Sequence, residues 1–320
     1  MGQNVDFELS ITINKSNYFI NEPIYLTVTI LNSSLESKQI VTSMLSEYNV
    51  GVDLLGPNGS YLKSQRFMIN DSIGHQGPFA DSTLEPGETY VVEHNLVNLF
   101  PQIIPEGGFH SIDSLGTYTL QCKYVNTIDS IKNNEYWVGE MLSNSIQFEL
   151  IPWDQSGINQ LTALLLEGTH DEKLEALVTI RKAELTQLLD NVHNILISTN
   201  SEEIKITSAF TLYFLAETKY FEVYMELLNS PNQKLRGLGA VSLGKIKDTR
   251  ALPILIEMCD PELYPMDYGP AYRALVDMGD NRALPAFEKI ANSNSVPKDF
   301  RKAASREAKG IRQSIKYKTD

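Results

Sequence analysis

Leu243-Gly244-Lys245-Ile246-Lys247-Asp248-Thr249-Arg250-Ala251-Leu252-Pro253 is answered 32 residues later by Leu275-Val276-Asp277-Met278-Gly279-Asp280-Asn281-Arg282-Ala283-Leu284-Pro285. Asp, Arg, Ala, Leu and Pro all keep the same offset, so the stretch is a repeat. A period of that length holds two helices and two turns, which predicts a stacked helical array. The repeated residues have structural tasks that need no ligand. Asp248 and Asp280 stand where they can accept free N–H groups at helix starts. Pro253 and Pro285 fall in the first helical turn, where proline is tolerated. Arg250 and Arg282 are placed to pair with the Asp two residues earlier, with the next repeat's Asp, or with exposed carbonyls.

Working outward, the helical period begins at Ile158 and continues through Leu174, Leu177 and Val178, through Leu185 to Leu196, and through Ile204 to Leu215. These earlier helix pairs lack an obvious motif, as diverged repeats do. The insert between the two clear copies, 260–270, is rich in proline and aromatics. Insertions map to one face of an array, often the binding face, so Tyr264, Met266 and Tyr268 are the expected contact residues. Lys298 to Lys318 carries eight basic residues. It reads as a solvated capping helix facing the acidic half, with nucleic-acid binding as the sharper alternative.

The first half has the other period. Phe7 to Ile13 and Ile24 to Leu31 alternate apolar and polar residues, as half-buried strands do. Further strands are expected at Gln39 to Met44, Val50 to Leu55, Thr89 to Asn95, Thr117 to Tyr124 and Ser145 to Ile151. Leu142-Ser143-Asn144-Ser145-Ile146 reads as a turn feeding the last of these. Short strands punctuated by turns predict an antiparallel β-sandwich. Two connections, 64–82 and 100–114, are longer than a sandwich needs, and long loops on a rigid sheet are where binding residues sit. In the second of them Ile103, Ile104 and Phe109 form an apolar segment that docks a partner or packs on the second domain.

The motifs Asn21-Glu22-Pro23-Ile24, Glu85-Pro86-Gly87-Glu88, Gly116-Thr117-Tyr118 and Leu142-Ser143-Asn144 resemble those of immunoglobulin-like sandwich modules in exported bacterial proteins. Leu-Gly-x-Ile-x-Asp-x-Arg-Ala-Leu-Pro resembles the core of HEAT-like repeats, over Leu235 to Met258 and again over Tyr272 to Ile290. Together they imply a chain of all-β plus all-α domains: an Ig-like sandwich at 1–152, a hinge at 153–157 and a HEAT-like helical solenoid at 158–320.

Charge is divided unequally. Residues 1–152 hold 6 Lys+Arg against 17 Asp+Glu, a net −11 within the chain's −13. Such a field disfavours non-specific nucleic-acid and lipid binding. No run reaches transmembrane length. The compartment is open: cytoplasmic as the sequence stands, or periplasmic or cell-surface had a signal peptide been removed. Cys122 and Cys259 fall in different halves and are expected to be buried free thiols.

No metal-ligand spacing, nucleophile elbow, P-loop or dinucleotide fingerprint is present. No cofactor is expected and no enzymatic activity. The nearest thing to a hydrolytic or metal-binding set is Asp71, His75, Asp81, His110 and Asp113 on the two long loops, and it defines the alternative reading. The principal expectation is a protein- or peptide-binding scaffold that uses the helical face and the long loops.

Overall fold

The computed structural model describes residues 6–41, 50–59, 61–63, 81–99, 112–126, 130–131, 134–215, 218–263 and 266–319. The chain divides into two compact units, Met1–Gly157 and Ile158–Asp320.

The first unit is sheet-rich. Its strands are β1 (Phe7–Ile13), β2 (Asn17–Phe19), β3 (Tyr25–Asn32), β4 (Lys38–Val41), β5 (Val50–Leu55), β6 (Tyr61–Lys63), β7 (Asp81–Leu84), β8 (Thr89–Asn95), β9 (Gly116–Asn126), β10 (Ser130–Ile131), β11 (Asn134–Glu135) and β12 (Gly139–Ile151). A single helical turn, α1 (Leu96–Leu99), follows β8. Strands β1, β3 and β8 form one antiparallel sheet. The order β2-β12-β9-β5-β6 forms a mixed sheet, in which β2 runs parallel to β12.

The period-two pattern becomes burial directly. Phe7, Leu9 and Ile11 of β1 point inward, as do Leu26, Val28 and Ile30 of β3, and they share one core with Val52, Tyr118, Leu120, Tyr124 and Phe148 of the mixed sheet. Each fully buried side chain of this kind contributes roughly 1.5–3 kcal/mol. Tyr118 and Phe148 stack at 5.2 Å, and the Tyr118 hydroxyl donates back to the Ser114 carbonyl at 2.9 Å.

One local expectation is corrected. Ser143-Asn144 is not a turn before a strand; β12 runs through it with a register shift between Leu142 and Ser145. The polar side chains are consumed by backbone partners. Asn144 accepts from the Ile11 N–H at 2.8 Å and donates to the Ile11 carbonyl at 3.0 Å, while the Ser143 hydroxyl accepts from Cys122 N–H at 2.8 Å. At 153–157, Trp153 stacks on Phe19 at 4.6 Å and its indole donates to the Ile20 carbonyl.

The second region is helical. After α2 (Gln155–Glu167), which begins in the first unit, come α3 (His170–Lys182), α4 (Leu189–Ser198), α5 (Glu202–Leu215), α6 (Phe221–Leu228), α7 (Gln233–Ile246), α8 (Leu252–Met258), α9 (Tyr268–Met278), α10 (Leu284–Asn292) and α11 (Lys298–Thr319). A 3₁₀ turn precedes each of α4, α6, α8 and α10, starting at 186, 218, 249 and 281, so the spacings are 32, 31 and 32. The geometric repeat therefore extends over a region where the motif is unreadable. Two residues before three of those turns, Glu184, Lys247 and Gly279 adopt left-handed φ angles of 53°, 56° and 66°, which end the preceding helix.

Small residues set the helix separations. A Cβ on Gly244 of α7 would lie 2.4 Å from the Cα of Ala274 in α9, so the backbones of these helices touch at that point.

Candidate functional site: an aromatic and cationic face on the helical unit

Helix α5 is preceded by Ser201, whose hydroxyl accepts from the Ile204 N–H, with Glu202 and Glu203 in a first turn that favours negative charge. One side of α5 buries Ile204, Ser208, Ala209, Thr211 and Leu212. The adjoining stripe, Phe210, Tyr213 and Phe214, is also apolar but remains partly in water, and Phe214 is 50% exposed. Their rings form one cluster. Phe210 meets Phe214 edge-on at 4.9 Å and stacks on Tyr213 at 6.0 Å.

Two cations close on this cluster from the flanking helices. The Arg181 guanidinium, in the last turn of α3, lies 4.8 Å from the Phe210 ring centre and 5.5 Å from that of Phe214. The Lys245 ammonium of α7 lies 5.3 Å from the Tyr213 ring and donates to the carbonyls of Tyr213 and Phe214. Each such contact is worth about 0.5–2 kcal/mol, more as water is excluded. Burial pushes the Arg181 pKa down from its usual value, yet a guanidinium stays charged at neutral pH. Among the described residues no carboxylate pairs with Arg181 or Lys245, so the Arg181 guanidinium lies over aromatic faces without a paired anion. That chemistry suits a ligand bearing a carboxylate beside apolar groups.

A cavity of about 440 Å³ lies in the same unit, at the α4–α5 and α6–α7 connections. Leu196, Ile197, Val223 and Leu227 contribute apolar lining, and Glu202, Lys205 and Glu226 contribute charge.

The repeat residues occupy capping positions. Asp248 and Asp280 accept from the N–H groups of Arg250 and Arg282, and each takes the guanidinium of the same arginine. These arginine N–H groups, then the backbone N–H, hold both carboxyls below the usual range. Arg250 also lies 3.7 Å over the Phe221 ring. Pro253 and Pro285 fall in the first turns of α8 and α10.

In the insert, Met266 is exposed, whereas Tyr268 packs edge-on against Phe300 at 5.3 Å. Tyr264, Ile103, Ile104, Phe109, Asp71, His75 and His110 lie outside the described residues, and so do most of loops 64–82 and 100–114. Of the remaining loop acids, Asp81 opens β7 and Asp113 is exposed. Among the described residues no cluster of three or more His, Cys, Asp or Glu is arranged to hold a metal. Both thiols are free and buried, and burial pushes each up to about 12. No helix of the described residues is long and apolar enough to cross a membrane.

The aromatic face is the feature that sequence reasoning missed. Its signal is an α5 that is apolar on two adjoining stripes, more than one buried face uses.

Residues 8–151 match the family model described as flagellar collar protein C, N-terminal domain, and residues 235–260 match the PBS lyase HEAT-like repeat. The helical region therefore contains a HEAT-like repeat at 235–260. No curated protein matches the chain. Among solved structures, the CpcE–CpcF complex of phycocyanin lyase from Nostoc is 19% identical, with a TM-score of 0.42, covering 52% of this chain and 69% of that one. The YibA protein of E. coli is 13% identical with a TM-score of 0.33, covering 50% and 72%. A β-glucosidase from Erythrobacter marinus is 16% identical with a TM-score of 0.24, and the match covers 45% of this chain but only 15% of the glucosidase.

Proposed function

We propose that the protein is a non-enzymatic binding scaffold, in which an Ig-like sandwich at 1–152 is joined through 153–157 to a HEAT-like solenoid at 158–320. The single observation that carries the binding role is the Phe210–Tyr213–Phe214 cluster capped by Arg181 and Lys245. Rigid aromatics and a stacked arginine are the residue types that dominate binding energy at protein interfaces. The partner is a protein or peptide segment presenting carboxylates among apolar side chains. Met266 and the neighbouring exposed Leu263 extend the apolar surface available on this unit. The match of the first unit to a domain of a flagellar collar protein supports a role in assembly rather than chemistry, and the two Tyr118 backbone contacts support the Ig-like reading.

The test is binding of a library of peptides that combine Asp or Glu with Leu and Phe to the full chain. The expected result is capture by the wild type and at least tenfold weaker capture, roughly 1.4 kcal/mol, by both Arg181→Glu and Phe214→Ala, with unchanged circular dichroism. Equal capture by the wild type and both variants would overturn the reading.

A further inference from the structure

Helix α11 is basic on one side and apolar on the other. At 3.6 residues per turn, Lys298, Lys302, Arg306, Lys309, Arg312 and Lys316 fall within about a third of its circumference. On the other side Ala304 and Ala308 are buried and Phe300 packs on Tyr268 and Tyr272. Arg312 pairs with Glu288, and Lys302 reaches Asp299 only at 3.7 Å. Among the described residues Lys298, Arg306 and Lys309 make no ion pair, and all three are exposed.

The first unit carries a surface of opposite character. Register places Glu8 opposite Leu31 and Glu93 opposite Thr27, so both glutamates stand on the outward face of the β1–β3–β8 sheet. The other outward positions, Ser10 and Thr12 of β1, Tyr25 and Thr29 of β3, and Thr89, Val91 and Asn95 of β8, supply no cation. Glu36, Glu85 and Glu88 are exposed on the connections at the end of this sheet.

We propose that these two surfaces meet between copies: the basic face of α11 on one molecule docks on the outward face of the β1–β3–β8 sheet of another. The occupant is chosen by charge. The outward sheet face of a second copy carries Glu8 and Glu93 without a cation beside them and is present in equal number, so it complements the basic face of α11 locally, while nucleic acid and an anionic membrane are the outcomes the test separates. The contact joins different patches on the two molecules, so each added copy leaves one patch of each kind open, and assembly proceeds to a ring or a filament. This contact is independent of the aromatic face on α3, α5 and α7.

The test is sedimentation and light scattering of the full chain over about two decades of concentration, at low salt and at about 0.3 M salt, where charge is strongly screened. The expected result is concentration-dependent association at low salt that weakens at least tenfold at high salt. The same loss is expected in Arg306→Glu/Lys309→Glu and in Glu8→Lys/Glu93→Lys, with recovery when these two variants are mixed. Mixing restores opposite charge only across molecules, so it separates association from loss of fold and from pairing within one chain. A monomer at all concentrations, association indifferent to either double substitution, or no recovery on mixing would overturn the proposal. So would retention of a DNA oligonucleotide or of anionic vesicles through α11 without self-association.

Discussion

Asp267 is 2% exposed and holds Arg236 by two hydrogen bonds, Nε to Oδ2 at 2.6 Å and Nη2 to Oδ1 at 3.3 Å. The same guanidinium donates to the carbonyls of Ser230 and Pro231. The insert that interrupts the clear repeat is thereby clamped to the start of α7, and the Gln233 amide adds a bond to the Met266 carbonyl. The α7-to-α9 step grows to 35 residues, from 233 to 268, where the preceding first-helix steps are 32 and 31. The repeat itself stays at 32 residues across this segment, so α9 starts later and is shorter, with Met266 displayed before it and Tyr268 packed at its start.

Removing one partner of this pair strands the other. Asp267→Ala is expected to destabilise the helical unit by about 3 kcal/mol, because the remaining arginine loses its counter-ion in a site largely closed to water. Urea unfolding of Asp267→Ala, Arg236→Ala and the double variant checks this. A double variant less destabilised than the sum of the singles confirms the coupling, and simple additivity refutes it.

The touch between α7 and α9 makes Gly244 intolerant of any side chain. Gly244→Ala is expected to cost up to about 3 kcal/mol, since the Cβ meets backbone rather than a movable side chain. Gly310, with nothing within 4 Å of its Cβ, provides the control: Gly310→Ala in α11 should be neutral or gain up to about 1 kcal/mol from helix propensity. Thermal unfolding of the two variants separates them, and equal effects would contradict the packing argument.

Left-handed positions at the helix ends give opposite signs for opposite substitutions. Gly279→Ala places a Cβ at φ 66° and should lose about 1 kcal/mol. Lys247→Gly relieves the same strain at φ 56°, but glycine raises the entropy of the unfolded chain. The expected net gain is about 0.5 kcal/mol. Chemical denaturation of both variants measures the pair, and a loss in Lys247→Gly would refute the strain reading.

Acid stability tests the repeated Asp–Arg pairs. The folded-state carboxyls of Asp248 and Asp280 are depressed by their arginines and by backbone N–H groups, while unfolded aspartate titrates near about 3.9. Their contribution is therefore complete above that value and disappears as pH falls through the lower folded-state values. Asp248→Asn/Asp280→Asn retains the caps but removes the titration, so stability should fall less steeply with pH below about 4. An unchanged acid limb would show that these pairs contribute nothing measurable.

What was legible in the sequence depended on whether a residue's task was local. Asp248, Pro253, Asp280 and Pro285 act within a few residues of themselves, and their positions in the repeat already suggested capping and first-turn roles. The alternation in Phe7 to Ile13 and Tyr25 to Asn32 likewise declared which side chains face inward. Asn144 was misread because its partner is Ile11, 133 residues away, and a polar pair within a strand looks like a turn until that partner is known. Arg236 and Asp267 join across 31 residues, and no local rule links them. The earlier repeats were unreadable for a related reason: Glu184 performs at a helix end what Gly279 performs later, by conformation rather than by residue type. The aromatic face was hidden because Phe210 and Tyr213 on a helix resemble core residues, and only the burial of Ala209 and Leu212 beside them shows that the rings are left over.

Site-specific photocrosslinking tests the binding face most directly. The full chain, carrying a photoreactive phenylalanine analogue at position 214 and, separately, at the exposed Glu222 of α6, is irradiated in the cell that makes it. Crosslinks to a distinct protein from position 214, abolished by Arg181→Glu and absent from position 222, are the predicted result. No crosslink from 214, or equal crosslinking from both positions, would contradict the assignment of this face as the binding surface.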